Sequence, residues 1–288
     1  MSDYKNSIVV TKASGEKVPF SWKKLEHSLH RSGADDAIIE EVKEKLKSHL
    51  HDGISTKKIY QHAFNILRKT SKSYAARYKL KQAIMELGPS GYPFEKFISE
   101  ILKFQGFSVQ VGVIVEGNCV NHEIDVVAEK GDKHFMVECK FHNQPGIKSD
   151  VKIPLYIYAR FLDVERKWKT LAGHGVKFHQ GWLVTNTRFT NDAIQYGSCA
   201  GLHLLGWDYP QKGSLNELID ASGLHPITSM TTLTRAEKQQ LLERKIVLCK
   251  ELCQKSELVD NIGITLVRKE RILQEGYELC LQFENQHA

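Results

Sequence analysis

No apolar run in this 288-residue sequence approaches ~18 residues, the least a membrane-spanning helix needs. The opening stretch MSDYKNSIVV lacks the charged-then-apolar layout of a secretion signal, so a cytoplasmic protein is expected. The six cysteines, at positions 119, 139, 199, 249, 253 and 280, form no CxxC pair, and the thirteen histidines show no HExxH spacing. Reduced thiols are therefore expected, with no disulfide scaffold and no zinc site. There is no GxxxxGK[ST] loop, which excludes the phosphate-cradling loop of the common nucleotide hydrolases.

The composition that remains is that of a globular chain able to bury a sizeable core, with 41% apolar and 26% charged residues. The net charge of +6 is uneven. Residues 1–90 carry 17 Lys and Arg against 10 Asp and Glu; residues 91–210 carry 13 against 13, and residues 211–288 carry 10 against 11. A basic excess suits polyanions, whether a nucleoside triphosphate or DNA.

The stretch from Asn121 to Gln144 reads as a β-hairpin, EIDVVAEK and KHFMVECKF about a Gly131-Asp132 turn. Alternation puts Glu138 and Lys140 on one face, with Val137 and Cys139 on the other. Pairing across the turn brings Asp125 near Glu138 and Lys140. Two carboxylates beside a lysine can hold a hard divalent cation and tune a water molecule, which is the apparatus for cutting a phosphodiester.

Ahead of this hairpin, residues 7–20 predict a smaller one, Ser7 to Lys12 and Lys17 to Phe20 about Ser14-Gly15. Four helices follow. The first is capped by Ser21, the second spans Ala37 to Leu50, the third is capped by Ser55, and the fourth covers Ser73 to Leu87 before Gly88-Pro89. The pattern resembles the ATP-cone, a regulatory nucleotide-binding module. The matching residues are Val10-Thr11-Lys12, Gly15, Pro19-Phe20, Lys24-Leu25, Asp52 to Thr56 with Ile59, and Ala76-Arg77-Tyr78. It departs from the family at Ala13-Ser14, where Arg-Asp is usual. The resemblance implies ATP or dATP as a regulatory ligand. Lys12 and Lys24 would lie at the phosphates, Val10, Phe20, Leu25 and Ile59 around the base, and Thr56 at a polar contact. Two lysines between a hairpin and a helix start can neutralise a triphosphate in any case.

From residue 91 the order is helix, three strands, helix, strand, helix, strand, which predicts an α/β domain. With its acidic residues, this order resembles the PD-(D/E)XK nuclease superfamily and its Mrr-like restriction-endonuclease branch. Glu95 in the first helix, Asp125, and Glu138-Cys139-Lys140 carry the match, with Ile124 in place of the proline. The resemblance implies a restriction-endonuclease-like core with a mixed sheet flanked by helices. It also implies Mg²⁺ held by Asp125, Glu138 and the Cys139 carbonyl, Lys140 at the attacking water, and Glu95 as a further ligand. Lys152, Tyr156 and Arg160 share a helix face and are candidate DNA-phosphate contacts.

The C-terminal stretch predicts a short helix at Ser214 to Asp220 and a linker at Gly223 to Thr232. A helix over Ala236 to Leu252, a short helix after Ser256 and a last helix from Leu266 to Leu281 follow. One glycine in Asn261-Ile262-Gly263-Ile264-Thr265 is a weak sign of a helix-hairpin-helix, and a packing bundle is favoured. The expected domains are residues 1–90, 91–212 and 213–288. The expected function is a Mg²⁺-dependent DNA endonuclease governed by ATP or dATP, with self-association into a homo-oligomer. A nucleotide-responsive DNA-binding regulator and a junction or repair nuclease are the alternatives.

Overall fold

The computed structural model describes residues 8–12, 14–170 and 178–284; Ser7 and Ala13, included in the expected hairpin, lie outside these. The chain runs β1 (Val9–Thr11), β2 (Lys17–Pro19), α1 (Trp22–Arg31), α2 (Asp36–Lys47), α3 (Thr56–Thr70), α4 (Lys72–Tyr78), α5 (Leu80–Met85) and α6 (Tyr92–Phe104). It continues with β3 (Ser108–Glu116), β4 (Asn121–Lys130), β5 (Lys133–Lys140), β6 (Lys148–Ser149), α7 (Lys152–Thr170), β7 (Phe178–Thr185), β8 (Arg188–Phe189), α8 (Asn191–Cys199) and β9 (His203–Leu205). The C-terminal elements are α9 (Leu215–Ser222), a 3-10 turn (Ile227–Ser229), α10 (Arg235–Glu243), α11 (Cys249–Gln254), α12 (Glu257–Asp260) and α13 (Leu266–Glu284). No helix among the described residues is long and apolar enough to cross a membrane.

The expected α/β architecture is observed. A five-stranded mixed sheet has the order β3-β4-β5-β7-β9. β3, β4 and β5 are antiparallel neighbours, while β7 joins β5 in parallel and β9 joins β7 in parallel. Parallel neighbours need a crossover, and α7 and α8 supply the two crossovers. One sheet face packs α7 and α8 through Ile157, Phe161, Val164 and Ala193. The other packs α6 through Phe94, Phe97, Ile98 and Ile101, all nearly inaccessible. A second pairing, β6 with β8, went unread in the sequence because two-residue strands have no periodicity.

The antiparallel strands do not keep one face throughout. Val109 and Val111 of β3 and Val126 and Ala128 of β4 pack on the α6 side, but Val113, Val115 and Ile124 pack on the α7 side. The switch falls where the β3–β4 pairing is interrupted opposite Asp125. Gly112 stands there with φ +65°, a conformation side chains disfavour. Such an irregularity re-aims neighbouring side chains.

The small hairpin is capped onto α3. Val9 N–H donates to Asp52 Oδ1 at 2.8 Å, and Thr11 N–H donates to the Ile54 carbonyl at 3.0 Å. Ser21 and Ser55 cap α1 and α3 as expected, each accepting from a backbone N–H three residues on. The expected fourth helix is instead two, α4 and α5, broken at Lys79 and capped by Ser71. Ala76, Leu80 and Ile84 from this pair, with Leu87 just beyond it, join the same apolar cluster as α6 and the C-terminal helices.

Two C-terminal expectations are corrected. The helix expected over Ala236 to Leu252 breaks after Glu243, because Lys245 takes φ 62° and Ile246 N–H turns back to the Leu241 carbonyl. The chain then runs extended past Val247 and Leu248, where Ile227 N–H donates to Val247 and Cys249 N–H to His225. The apolar run LLERKIVL suits either a helix or this reversal; tertiary pairing decides. The expected linker at Gly223 to Thr232 is interior: Ile227, Thr228, Ser229 and Met230 are all buried. At Asn261 to Gly263 the backbone N–H groups donate to carbonyls of residues 257, 259 and 260, so they are used within the turn. Leu252, Val259, Ile264, Ile272 and Leu279 pack together, as a bundle requires.

Candidate active site

The β4–β5 ladder ends at Val126 paired with Val137. Beyond it the next residues of each strand, Asp125 and Glu138, face one another without backbone pairing. Asp125 Oδ2 instead accepts from Cys139 N–H at 2.7 Å. β5 continues against β7 up to Lys140 opposite Thr185, so Glu138 and Lys140 sit on rigid strand. Glu95 comes from the first turn of α6, its carboxylate close over Gly91, where an added Cβ would meet Oε1 at 2.8 Å. Phe94 packs on Phe141 with ring centroids 5.7 Å apart, which pins this end of α6 beside the end of β5.

Glu138 is 5% exposed. Burial first, then the Asp125 charge, pushes its carboxyl up to about 8 against the opposing pull of Arg160. Burial, with Asp125 and Glu123, pushes Glu95 up to about 7. Burial also raises Asp125, opposed by the Cys139 N–H. All three carboxyl groups are raised first by burial; Asp125 adds to the rise of Glu95 and Glu138, while Glu123 adds to that of Asp125. Lys140 is exposed and forms no ion pair among the described residues. The Cys139 thiol packs toward the α6 cluster, as alternation requires, and burial holds its pKa well above the ordinary value.

A divalent cation fits this donor set. All its side-chain donors are oxygens, and Glu138 Oε1 is buried with no hydrogen-bond partner. Among the described residues no three His, Cys, Asp or Glu side chains are grouped as a cage. Backbone carbonyl and water would complete the shell.

Arg160 is the residue that the sequence misplaced. Four-residue spacing groups it with Lys152 and Tyr156 on one α7 face, and those two are exposed. Arg160 turns inward: Nη1 meets Glu138 Oε2 at 2.5 Å, and Nη2 donates to the Glu123 carbonyl. Behind it His122 lies 3.5 Å from Arg160 Nε and 2.8 Å from Asp163 Oδ2. Asp163 also accepts from Cys119 and Val120 N–H; the His122 bond first, and then these, hold its carboxyl down at about 2. The chain Asp163–His122–Arg160–Glu138 thus ties the β3–β4 turn to the site. The one signal for it in sequence was the Arg160–Asp163 spacing on one helix, too common to single out.

In the N-terminal unit Val10, Leu25 and Ile59 are buried in one cluster, with Phe20 half-buried against it and 4.9 Å from the Trp22 ring. Lys12, Lys24 and Thr56 are exposed at the hairpin end and at the starts of α1 and α3. Lys12 pairs with Glu16 at 2.9 Å.

Residues 8–84 match the ATP cone domain, which bears out that expectation, and residues 225–280 match the AF1548-like C-terminal model. An uncharacterized protein of Archaeoglobus fulgidus is 38% identical over 183 residues, covering 62% of this chain and 97% of the relative. A crystal structure described as a protein of unknown function, AF1548, is 35% identical with a TM-score of 0.55; the match covers 66% of this chain and 98% of that one. The chain belongs to this AF1548-like family. MspJI restriction endonuclease in complex with a 27-mer oligonucleotide is 14% identical with a TM-score of 0.33, over 71% of this chain and 40% of that one. That likeness is too slight to bear on function.

Proposed function

We propose that the protein is a Mg²⁺-dependent DNA endonuclease of the Mrr-like, PD-(D/E)XK type, controlled by ATP or dATP at its cone. The observation that supports this reading is Glu138 at the end of β5, its Oε1 buried and unpartnered and its carboxyl pushed up by burial and by the charges of Asp125 and Glu95, with Lys140 in water two residues on. Asp125 and Glu138 would hold Mg²⁺ with the Cys139 carbonyl, and Glu95 would add a contact directly or through water. When bound, the cation would polarise a phosphodiester oxygen and acidify a water. Cys139 N–H fixes the Asp125 carboxylate in place. Lys140 donates toward the water and offsets the charge that builds on the phosphate. Lys152 and Tyr156 present polar groups for the DNA backbone. The proposed domains are 1–90, 91–212 and 213–288, with nucleotide at the first altering self-association of the whole.

One observation favours a second reading. The Arg160 guanidinium already pairs with Glu138, as it would in an inert nuclease fold that only holds DNA for a nucleotide-responsive regulator. Supercoiled plasmid, methylated and unmethylated, incubated with Mg²⁺ and with or without ATP or dATP separates the two. The endonuclease reading expects nicking that Glu138→Ala abolishes. Salt-sensitive DNA binding without nicking under Mg²⁺ or Mn²⁺ establishes the regulator, and equal nicking by Glu138→Ala refutes the assigned site.

A further inference from the structure

Between the cone and the C-terminal helices lies a cleft that neither the cone hairpin nor the carboxylate site uses. Two adjoining cavities make it up, about 410 and 780 Å³, sharing Lys79 and Lys238 as a common wall. That is the size range of small-ligand sites. The smaller cavity receives Lys57 and Arg68 from α3, Lys79 from the α4–α5 break and Lys238 from α10. The larger adds Arg235 and one carboxylate, Glu86. Glu86 pairs with Lys79 at 3.0 Å. Lys57, Arg68, Arg235 and Lys238 have no ion-pair partner among the described residues. Five cations thus face one acid.

Lys238 is the least expected of them. It is 8% exposed, and its ammonium donates only to the Thr228 carbonyl at 2.8 Å. A buried ammonium with no direct ion pair is costly; burial and then nearby Lys79 pull it down to about 8, against the weaker opposing charges of Glu86 and Glu275. An anion in the cleft would remove that cost. Tyr60 and Phe64 line the smaller cavity beside the cations, and Tyr60 stacks on Tyr78 at 4.9 Å. An apolar wall next to clustered positive charge suits a phosphate chain that carries a ring. The concavity suits a compact ligand rather than the side of a duplex.

We propose that this cleft binds a short phosphate chain, either free or as the tail of a nucleotide, at a site separate from the cone hairpin. The ligand would bridge α3 and α10 and so join the cone to the C-terminal segment. Asn143, three residues beyond Lys140, also lines the larger cavity, so occupancy is felt near the end of β5. The site stands whether or not the protein cuts DNA.

The test is isothermal titration of the full chain with inorganic tripolyphosphate, without Mg²⁺. Saturable binding is expected, weakened at least tenfold by the double variant Lys57→Glu/Arg68→Glu. Both side chains are exposed, so a thermal melt should match that of the parent chain. The pair Lys12→Ala/Lys24→Ala should leave this binding event in place. Displacement by ATP but not AMP supports the nucleotide tail as the source; no displacement by ATP supports the free chain. Absence of saturable binding, indifference to Lys57→Glu/Arg68→Glu, or loss in the Lys12/Lys24 pair overturns the proposal. Displacement by a short DNA duplex with ATP inert also overturns it, and assigns the cleft to the DNA backbone.

Discussion

The cone and the sheet use charge in opposite ways. In the cone the apolar residues Val10, Leu25 and Ile59 are buried and the lysines Lys12 and Lys24 stand in water. At the end of β5 an acid, Glu138, is buried and a lysine, Lys140, stands beside it in water. An exposed lysine costs the fold almost nothing, so its presence says little until a ligand arrives. A buried carboxylate costs stability in the free protein, so its retention needs a partner that the described residues supply only in part, through Arg160. The buried acid of the sheet therefore bears a cost by itself, while the exposed lysines of the cone bear almost none.

The largest effect that can break this contrast is at Glu138. Replacement by Ala should lower plasmid nicking about 1000-fold, the scale of the charge stabilisation a bound metal supplies. ATP affinity, measured by titration, should be unchanged; a matching loss would mean the two sites are one. Lys140→Met should follow with a loss of about 100-fold in nicking and little change in melting temperature, because the side chain is already in water. A melting change of many degrees would show that Lys140 holds structure instead. In the cone, Lys12→Ala with Lys24→Ala should weaken ATP binding about tenfold, or ~1.4 kcal/mol, by the same titration.

The smallest effect is on stability. Glu138 and Glu95 have carboxyl groups raised above their ordinary value, to about 8 and about 7. Their contribution is fully present below the unfolded value near 4.5 and is lost as pH rises through 7 and 8. Metal-free protein should therefore melt about 2–4 °C lower at pH 9 than at pH 6 for each kcal/mol lost. Glu138→Gln should flatten that slope, and Mg²⁺ should restore stability at the high-pH end. A slope unchanged in Glu138→Gln would place its cause elsewhere.

Much of this was legible from residue order. Alternation in KHFMVECK separates Val137 and Cys139 from Glu138 and Lys140, and the structure keeps them apart. Ser21 and Ser55 announce their helices because a capping hydroxyl is a local device. What was not legible depends on distant partners. Arg160 looked like a surface residue, since nothing local says that Glu138 waits for it 22 positions away. Gly112 sits in an ordinary-looking strand, and its left-handed backbone has meaning only opposite Asp125. Leu248 and its neighbours read as helix because their extended partner, Pro226, lies in a segment that looked like a linker.

The shared packing of Ala76, Leu80, Ile84 and Leu87 has a mechanical consequence. These cone residues are walls of the same interior as α6 and the C-terminal helices, so the joint has no loose joinery to absorb movement. A shift of α4 or α5 would be felt in the apolar cluster that also holds Phe94. By the same token, a cone severed at Gly88 would carry an oily flank into water and leave a matching hollow behind. The cone and the remainder of the chain stand or fall as one body.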